Sequence, residues 1–342
     1  MSKSPIFISL TGSSSSIGSS TNSVFFNSSL IKSSIIKSMK GSALMLYEHH
    51  LKNWLVDQKI YKKESTYTVY YNIVYNQIVP NIGNIEVERL NNDILQEFVL
   101  DQLDHGRVDG KGGIAQSYVK DIITVLKLSL DQKIEIQLPY CPPTEVEIYD
   151  KSDQITLINY LQSEINNKHF GILLAIHTGI RIGELCALKW SDINFDTQIL
   201  HIDKTMVRLY TKEEGSRLRI TPPKSRASTR SIPLNKWIMQ YAVLLKGEPD
   251  EYILTGRTQH IEPNKYRTFY NNILKDLELP HHKFHSLRHT FATRCIECGC
   301  DYKSLSQLLG HSNVAITMSM YVHPQIELKR KCVELLADYY QH

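Results

Sequence analysis

Between His285 and Tyr321 the chain concentrates side chains that can act on a phosphate. His285 and Arg288 are three residues apart, so a helix sets them on one face. Leu287 and Phe291, four apart, give that helix a buried side. The next stretch, Tyr302 to Gly310, is helical in pattern and stops at a residue suited to the left-handed turn that closes a helix. His311 follows that stop directly. From Ser312 onward, Val314, Met318 and Tyr321 are spaced as on a helix, and Pro324 bars continuation. Three short helices can thus bring His285, Arg288, His311 and Tyr321 together. Arginine offers a planar fork matched to phosphate oxygens. Tyrosine can be a covalent nucleophile. Its free pKa of about 10 means that it needs a proton acceptor or a strong positive field. Such a set suits phosphoryl transfer. His281, His282 and the cluster Cys295, Cys298 and Cys300 raise a competing idea, a metal site. No second cysteine pair lies nearby, and the histidine-rich segment has no cysteine or carboxylate partners at useful spacing. Free thiols in a reducing compartment are the expected state.

The set H-x-x-R-H-T, then L-G-H, then Tyr321 ten residues after His311, resembles the C-terminal signature of the tyrosine recombinases, the phage-integrase family. Upstream, Thr178-Gly179-Ile180-Arg181-Ile182-Gly183-Glu184-Leu185 is similar to that family's first box, T-G-x-R-x-x-E-L. Pro223-Lys224-Ser225 and Arg230-Ser231-Ile232-Pro233-Leu234 resemble the segment around its hairpin lysine. The resemblance implies DNA strand exchange that uses no metal and no nucleotide cofactor. The chain accordingly has no G-x-x-x-x-G-K-[ST] phosphate loop. By resemblance, Tyr321 attacks a backbone phosphate and leaves a 3′-phosphotyrosyl link and a free 5′-hydroxyl. Arg181 and Arg288 clamp the non-bridging oxygens, where fixed donors contribute most. His285 is the candidate base, Lys224 the general acid toward the leaving 5′-oxygen, and His311 a hydrogen-bond partner of the phosphate. Arg226 competes with Lys224 for its role. Glu184 braces the first box, and His289 is structural.

Composition bounds the partners. The chain has 342 residues, 42% of them hydrophobic, and a formal net charge of +4. Positive charge is local: residues 201–240 hold nine Lys or Arg against three acids, a balance of +6. That is the footprint of a face that meets phosphate backbone, or of a solvated hairpin. The longest apolar run, Gly171 to Ile176, falls far short of the ~20 residues that span a bilayer. A cytoplasmic, nucleoid-associated location is expected, with no membrane partner. Residues 1–43 contain sixteen serines and no acid, and read as a disordered tail. An organelle transit peptide is the alternative, although the stretch has no arginine. Nothing in it resembles the extra DNA-binding domain that many relatives carry at this end.

The expected fold is mainly α with a small antiparallel β-sheet, as a two-domain C-shaped clamp. Residues 44–135 read as a helical domain, with helix-start signals at Lys63-Glu64-Ser65-Thr66 and near Asn91 and an apolar repeat from Val119 to Leu128, and the block resembles the family's core-binding (SAM-like) domain. Residues 136–150, with Pro139, Pro142 and Pro143, read as an extended linker. Residues 151–342 read as mixed helix and strand, and the resemblance implies that they are the catalytic domain. Helices are predicted at Ser152–Ile165, Phe170–Thr178, Ile182–Trp190, Asn235–Lys246 and Asn264–Leu279. Strands are predicted at Asn194–Asp203, Met206–Tyr210, Arg217–Thr221 and Tyr252–Leu254. An amphipathic tail from Gln325 is the candidate for docking on a neighbouring copy. The resemblance implies double-stranded DNA as partner and a homo-tetramer on it, and leaves room for an accessory DNA-bending or directionality protein. Integrases of phages and conjugative transposons are the most similar members. A dimer-resolving recombinase of the Xer kind and a catalytically inactive DNA-binding relative remain as alternatives.

Overall fold

The computed structural model describes residues 45–142, 146–223 and 225–321, with positions 330, 333, 334, 336, 337, 339 and 340. It is mainly helical, with two small antiparallel sheets and two large hydrophobic clusters.

The first cluster is built by α1 (Tyr47–Tyr61), α2 (Glu64–Ile73), α3 (Val79–Ile82), α4 (Asn92–His105) and α5 (Gln116–Ser129). Asn91 caps α4 by accepting from the Ile94 N–H at 3.0 Å. On α5, Val119, Ile122, Val125 and Leu126 recur at helical spacing and are fully buried against Leu51, Ile73 and Leu95. A π-helical turn, Val74–Ile78, joins α2 to α3 and was not legible from the spacing. Tyr47 and Ser129 close the cluster through a 2.7 Å hydroxyl contact. The segment after α5 is tied to this cluster: Gln96 exchanges hydrogen bonds with the Gln137 backbone at 2.8 and 2.9 Å.

The second cluster surrounds α7 (Asn167–Thr178), whose residues from His169 to Ile176 are all buried. A helix apolar on every side needs cover on every side. It is packed by α6 (Lys151–Ser163), α9 (Lys236–Leu245) and α11 (Phe284–Glu297). Between them come α8 (Ile182–Ala187) and α10 (Pro263–Asp276), and after them α12 (Tyr302–Leu309) and α13 (Val314–Tyr321). Among the described residues no helix is long and apolar enough to cross a membrane. The amphipathic tail from Gln325 lies for the most part outside the described residues.

The strands differ from expectation in three places. The run Asn194–Asp203 divides into β1 (Ile193–Asn194) and β2 (Ile199–Ile202), because the Asn194 side chain accepts from Asp196 and Thr197 N–H groups and turns the chain. A strand absent from the prediction, β5 (Arg230–Pro233), pairs with β2 in the register Leu200↔Ile232. Its four residues end in a proline and alternate too briefly to read. The expected strand at Tyr252–Leu254 does not form. Tyr252 makes isolated bridges to Lys189 and Arg257, and Gly256, at φ 58°, turns the chain back before a ladder can extend. The expected hairpin is present as β3 (Thr205–Thr211) and β4 (Gly215–Thr221), a separate two-stranded sheet.

Helix α2 rests on this hairpin. Asn72 donates to the Tyr210 carbonyl at 2.9 Å, and the Glu64 carboxylate lies 3.2 Å from Arg217 and 3.9 Å from Arg219. Arg217 also pairs with Glu214, and Arg208 with Glu262.

Asn166 starts α7 by accepting from both Lys168 and His169 N–H groups, at 3.0 and 3.1 Å. Asn166→Ala should therefore cost about 1–2 kcal/mol, seen as a lower urea midpoint with an unchanged m-value.

Candidate active site

Four of the six expected site residues are described with their side chains, and they converge from the ends of three helices. Arg181 sits at the start of α8, two residues past Gly179, which closes α7 in the left-handed conformation at φ 62°. A Cβ on Gly179 would lie 2.5 Å from a ring carbon of Phe291 on α11, so conformation and crowding both demand glycine. The Arg181 side chain is 37% exposed and donates to Glu184 at 2.9 Å. Its backbone N–H donates to the other Glu184 oxygen at 2.9 Å.

Arg288 sits one turn after His285 on α11 and is 3% exposed. Its guanidinium donates to the Gly179 carbonyl at 2.8 Å and to the Leu309 carbonyl at 2.6 Å. One side chain thus ties the first-box turn to the end of α12. That end is a Schellman motif: Gly310 N–H bonds Gln307 O, and His311 N–H bonds Ser306 O. Gly310 takes φ 67° and delivers His311 to the site. The Nδ1 of His311 lies 2.8 Å from the hydroxyl of buried Thr317 on α13, which orients Nε2 the other way.

His285 stands against His289 with ring centres 4.6 Å apart and planes nearly perpendicular. Part of His285 remains accessible, yet loss of hydration, His289, Arg288 and Arg181 together push its pKa down to about 4, against a small opposing pull from Glu184. His311 is also held at about 4, by loss of hydration first and then by Arg288, Arg181, Arg230 and His285. Both imidazoles are therefore neutral at pH 7 and able to accept a proton or a hydrogen bond. An anion entering the site raises both values. Burial pushes the Glu184 carboxyl upward, but Arg230 and Arg181 outweigh it and hold the group below the usual carboxylate range.

A cavity of about 500 Å³ opens beside Arg181 and Glu184, bounded by Lys63, Thr205, Thr221 and Ser228. Lys224 lies outside the described residues. Tyr321 ends α13, and its side chain is likewise outside them. Cys295, Cys298 and Cys300 are free thiols at the C-terminal end of α11. Among the described residues no group of three or more His, Cys, Asp or Glu is arranged to hold a metal ion. Two participants escaped the sequence reading. Thr317 carried no signal beyond helical spacing. Arg230 stood in a recognised segment, but nothing local announced that its charge is buried against Glu184.

The chain belongs to the phage integrase family, whose family model matches residues 149–327. The model of the phage integrase N-terminal SAM-like domain matches residues 47–101. A tyrosine recombinase XerC-like protein of Caldanaerobacter subterraneus subsp. tengcongensis is 29% identical over 331 residues, covering 88% of this chain and 79% of that protein. The transposase of transposon Tn916 from Enterococcus faecalis is 31% identical over 170 residues, covering 44% of this chain and 41% of the transposase. The Tn1549 transposon integrase, solved in complex with transposon right-end DNA, superposes with a TM-score of 0.69 at 19% identity, over 86% of this chain and 100% of that one. A lambda integrase, solved as a tetramer on a Holliday junction, superposes with a TM-score of 0.58 at 16% identity, over 84% of this chain and 80% of that one.

The histidine values set a pH dependence. An unfolded histidine titrates near pH 6.5, and these two in the fold near 4. Between those limits the unfolded chain binds protons that the fold does not, so the stability these two groups contribute falls as pH drops from about 6.5 to about 4 and is fully present above that window. Urea midpoints at pH 7 and pH 5 should differ in this direction, and the difference should shrink in a His285→Asn, His311→Asn double variant. Gly179→Ala should destabilise the fold by more than about 1 kcal/mol, since a left-handed site and a packed ring are both violated. Its thermal midpoint should fall accordingly.

Proposed function

We propose that this protein is a site-specific DNA strand transferase that cuts and rejoins duplex DNA through a 3′-phosphotyrosine. The observation that carries the reading is the convergence of Arg181, Arg288, His285 and His311, held through Arg288, with Arg181 lining a 500 Å³ cavity. Family membership supports it. The Tyr321 phenol oxygen attacks phosphorus as its proton passes to His285. Arg181 and His311 Nε2 stabilise the charge that develops on the non-bridging oxygens. Arg288 contributes its positive charge from beneath and holds the two loops in register. The bond to the 5′-oxygen breaks, and Lys224 supplies the proton that this oxygen takes. The covalent link conserves the phosphodiester energy, so a partner strand's 5′-hydroxyl can reverse the step on phosphorus without an added cofactor.

The helical part, residues 44–135, and the catalytic part, residues 151–342, form a clamp joined by residues 136–150. The duplex would lie between them, along the basic hairpin. Strand exchange joins two duplexes with four cuts, which calls for four protomers, the number present in the lambda integrase assembly on its junction. Whether the outcome is integration, excision or dimer resolution depends on the DNA sites, and both the XerC-like relative and the transposon proteins are similar in sequence. The setting that fits this chemistry is the bacterial cytoplasm.

Nicked duplexes built from DNA flanking the gene, incubated with the protein in EDTA, should give a denaturant-resistant protein–DNA adduct that Tyr321→Phe abolishes. An adduct that persists in Tyr321→Phe would remove Tyr321 from its role. The Lys224 assignment has its own check, because a sulfur leaving group needs no proton. Lys224→Ala should lose about 100-fold or more on the normal substrate, and recover most of that on a 5′-bridging phosphorothiolate. Equal losses on both substrates would transfer the acid role elsewhere.

A further inference from the structure

Arg230 is built into the centre of the site yet cannot meet a substrate. It stands on β5, and its side chain is 5% exposed. Its Nε–H donates to the Leu308 carbonyl at 2.6 Å, one residue short of the end of α12. Its Nη1 donates to the Ser228 carbonyl and to one Glu184 oxygen, both at 3.1 Å, and its Nη2 to the other Glu184 oxygen at 2.9 Å. A Cβ on Gly310 would lie 3.0 Å from its Cδ, so the arginine also floors the turn that delivers His311.

Glu184 is 3% exposed and shared. Both of its oxygens accept from Arg230, and both accept from Arg181, one from the side chain and one from the backbone N–H. The charge of this trio decides what Arg181 can do. Arg181 and Glu184 alone would form a neutral ion pair, with little attraction for an anion. The second guanidinium, Arg230, is buried on the same carboxylate and leaves the trio at +1, and of the two cations Arg181 is the one with an exposed face.

We infer that Arg230 is a positioning residue for the proposed strand-transfer reaction, acting through the Glu184 carboxylate to leave the positive charge of Arg181 available to a phosphate and through Leu308 to fix the His311 loop. The inference rests on the function proposed above, and the experiment separates the two. Arg230→Met removes the charge at similar length and leaves Glu184 to neutralise Arg181. Adduct formation with nicked duplex should slow about 100-fold or more, the scale of losing one oxyanion donor. Adding Glu184→Gln returns the trio to +1 and should recover at least tenfold of that loss. A purely bracing role predicts the reverse, because the double variant lacks both members of the brace. Arg230→Lys keeps the charge but cannot reach both Glu184 and Leu308, and should fall between wild type and Arg230→Met.

Equilibrium binding of the same duplex, un-nicked and at fixed salt, is measured on the same four proteins, and should follow the same order with smaller ratios. Wild-type protein that binds but forms no adduct would count against strand transfer, while the binding order still decides the inference. An Arg230→Met variant close to wild type in rate and binding would overturn it. So would a double variant as slow and as weakly binding as the single one. Thermal unfolding of each variant identifies those that fail to fold. If Arg230→Met is among them, the comparison of Arg230→Lys with and without Glu184→Gln carries the same test: the removed carboxylate should then raise duplex affinity, and an unchanged or lower affinity would overturn the inference.

Discussion

A single buried guanidinium holds the site together. Arg288 faces the carbonyls of Gly179 and Leu309, each at the C-terminal end of a helix. Helix C-termini carry partial negative charge and unsatisfied carbonyls. Two such ends aimed at one cation offset the cost of taking that cation out of water, a cost that is large when a charge lacks partners. The geometry is demanding. The two carbonyls belong to residues 130 positions apart, and a planar fork spans them where the flexible, compact charge of a lysine would not. Both loops that carry site residues are held by this bridge: Arg181 follows Gly179, and His311 follows Leu309, each by one turn residue.

Around that bridge the molecule uses glycine where backbone must pass close to other groups. Gly179 and Gly310 both take left-handed conformations, and both lie against packed side chains, Phe291 in one case and Arg230 in the other. The helices they terminate are held by apolar burial, chiefly of α7, which is covered on all sides. The electrostatic part of the site is therefore anchored on helix ends inside a core. Similarity to the Tn1549 integrase at a TM-score of 0.69 and only 19% identity fits this arrangement, because apolar positions interchange freely while volume and pattern persist.

Most of the helical frame was legible in the sequence. Apolar spacing placed α5, α7, α10 and α11 to within a few residues, and Gly310 marked the end of α12 without help from context. The first box, Lys224 and the C-terminal signature stood out because their order matches a family pattern. What escaped depends on contacts between distant segments. The π-helical turn at Val74–Ile78 shifts the buried face mid-helix, which a fixed period cannot register. Strand β5 exists because β2 offers it partners 28–34 residues earlier. Arg288 reads as a phosphate ligand by type and spacing, and only the fold adds that two of its N–H groups donate to backbone carbonyls. Glu184 looked like a local brace, and only the fold reveals that it answers to two arginines.

The hairpin that the charge count marked out is less naked than its composition suggests. Arg208, Arg217 and Arg219 already lie beside Glu262, Glu214 and Glu64. A phosphate that reaches them meets an exchange rather than an addition: one carboxylate leaves as one phosphate arrives. The gain is the difference between two ion pairs of similar kind, each worth little at an exposed surface. Such self-competition discounts the grip on any arbitrary polyanion. It spares a backbone only if that backbone also engages the groups beyond the hairpin.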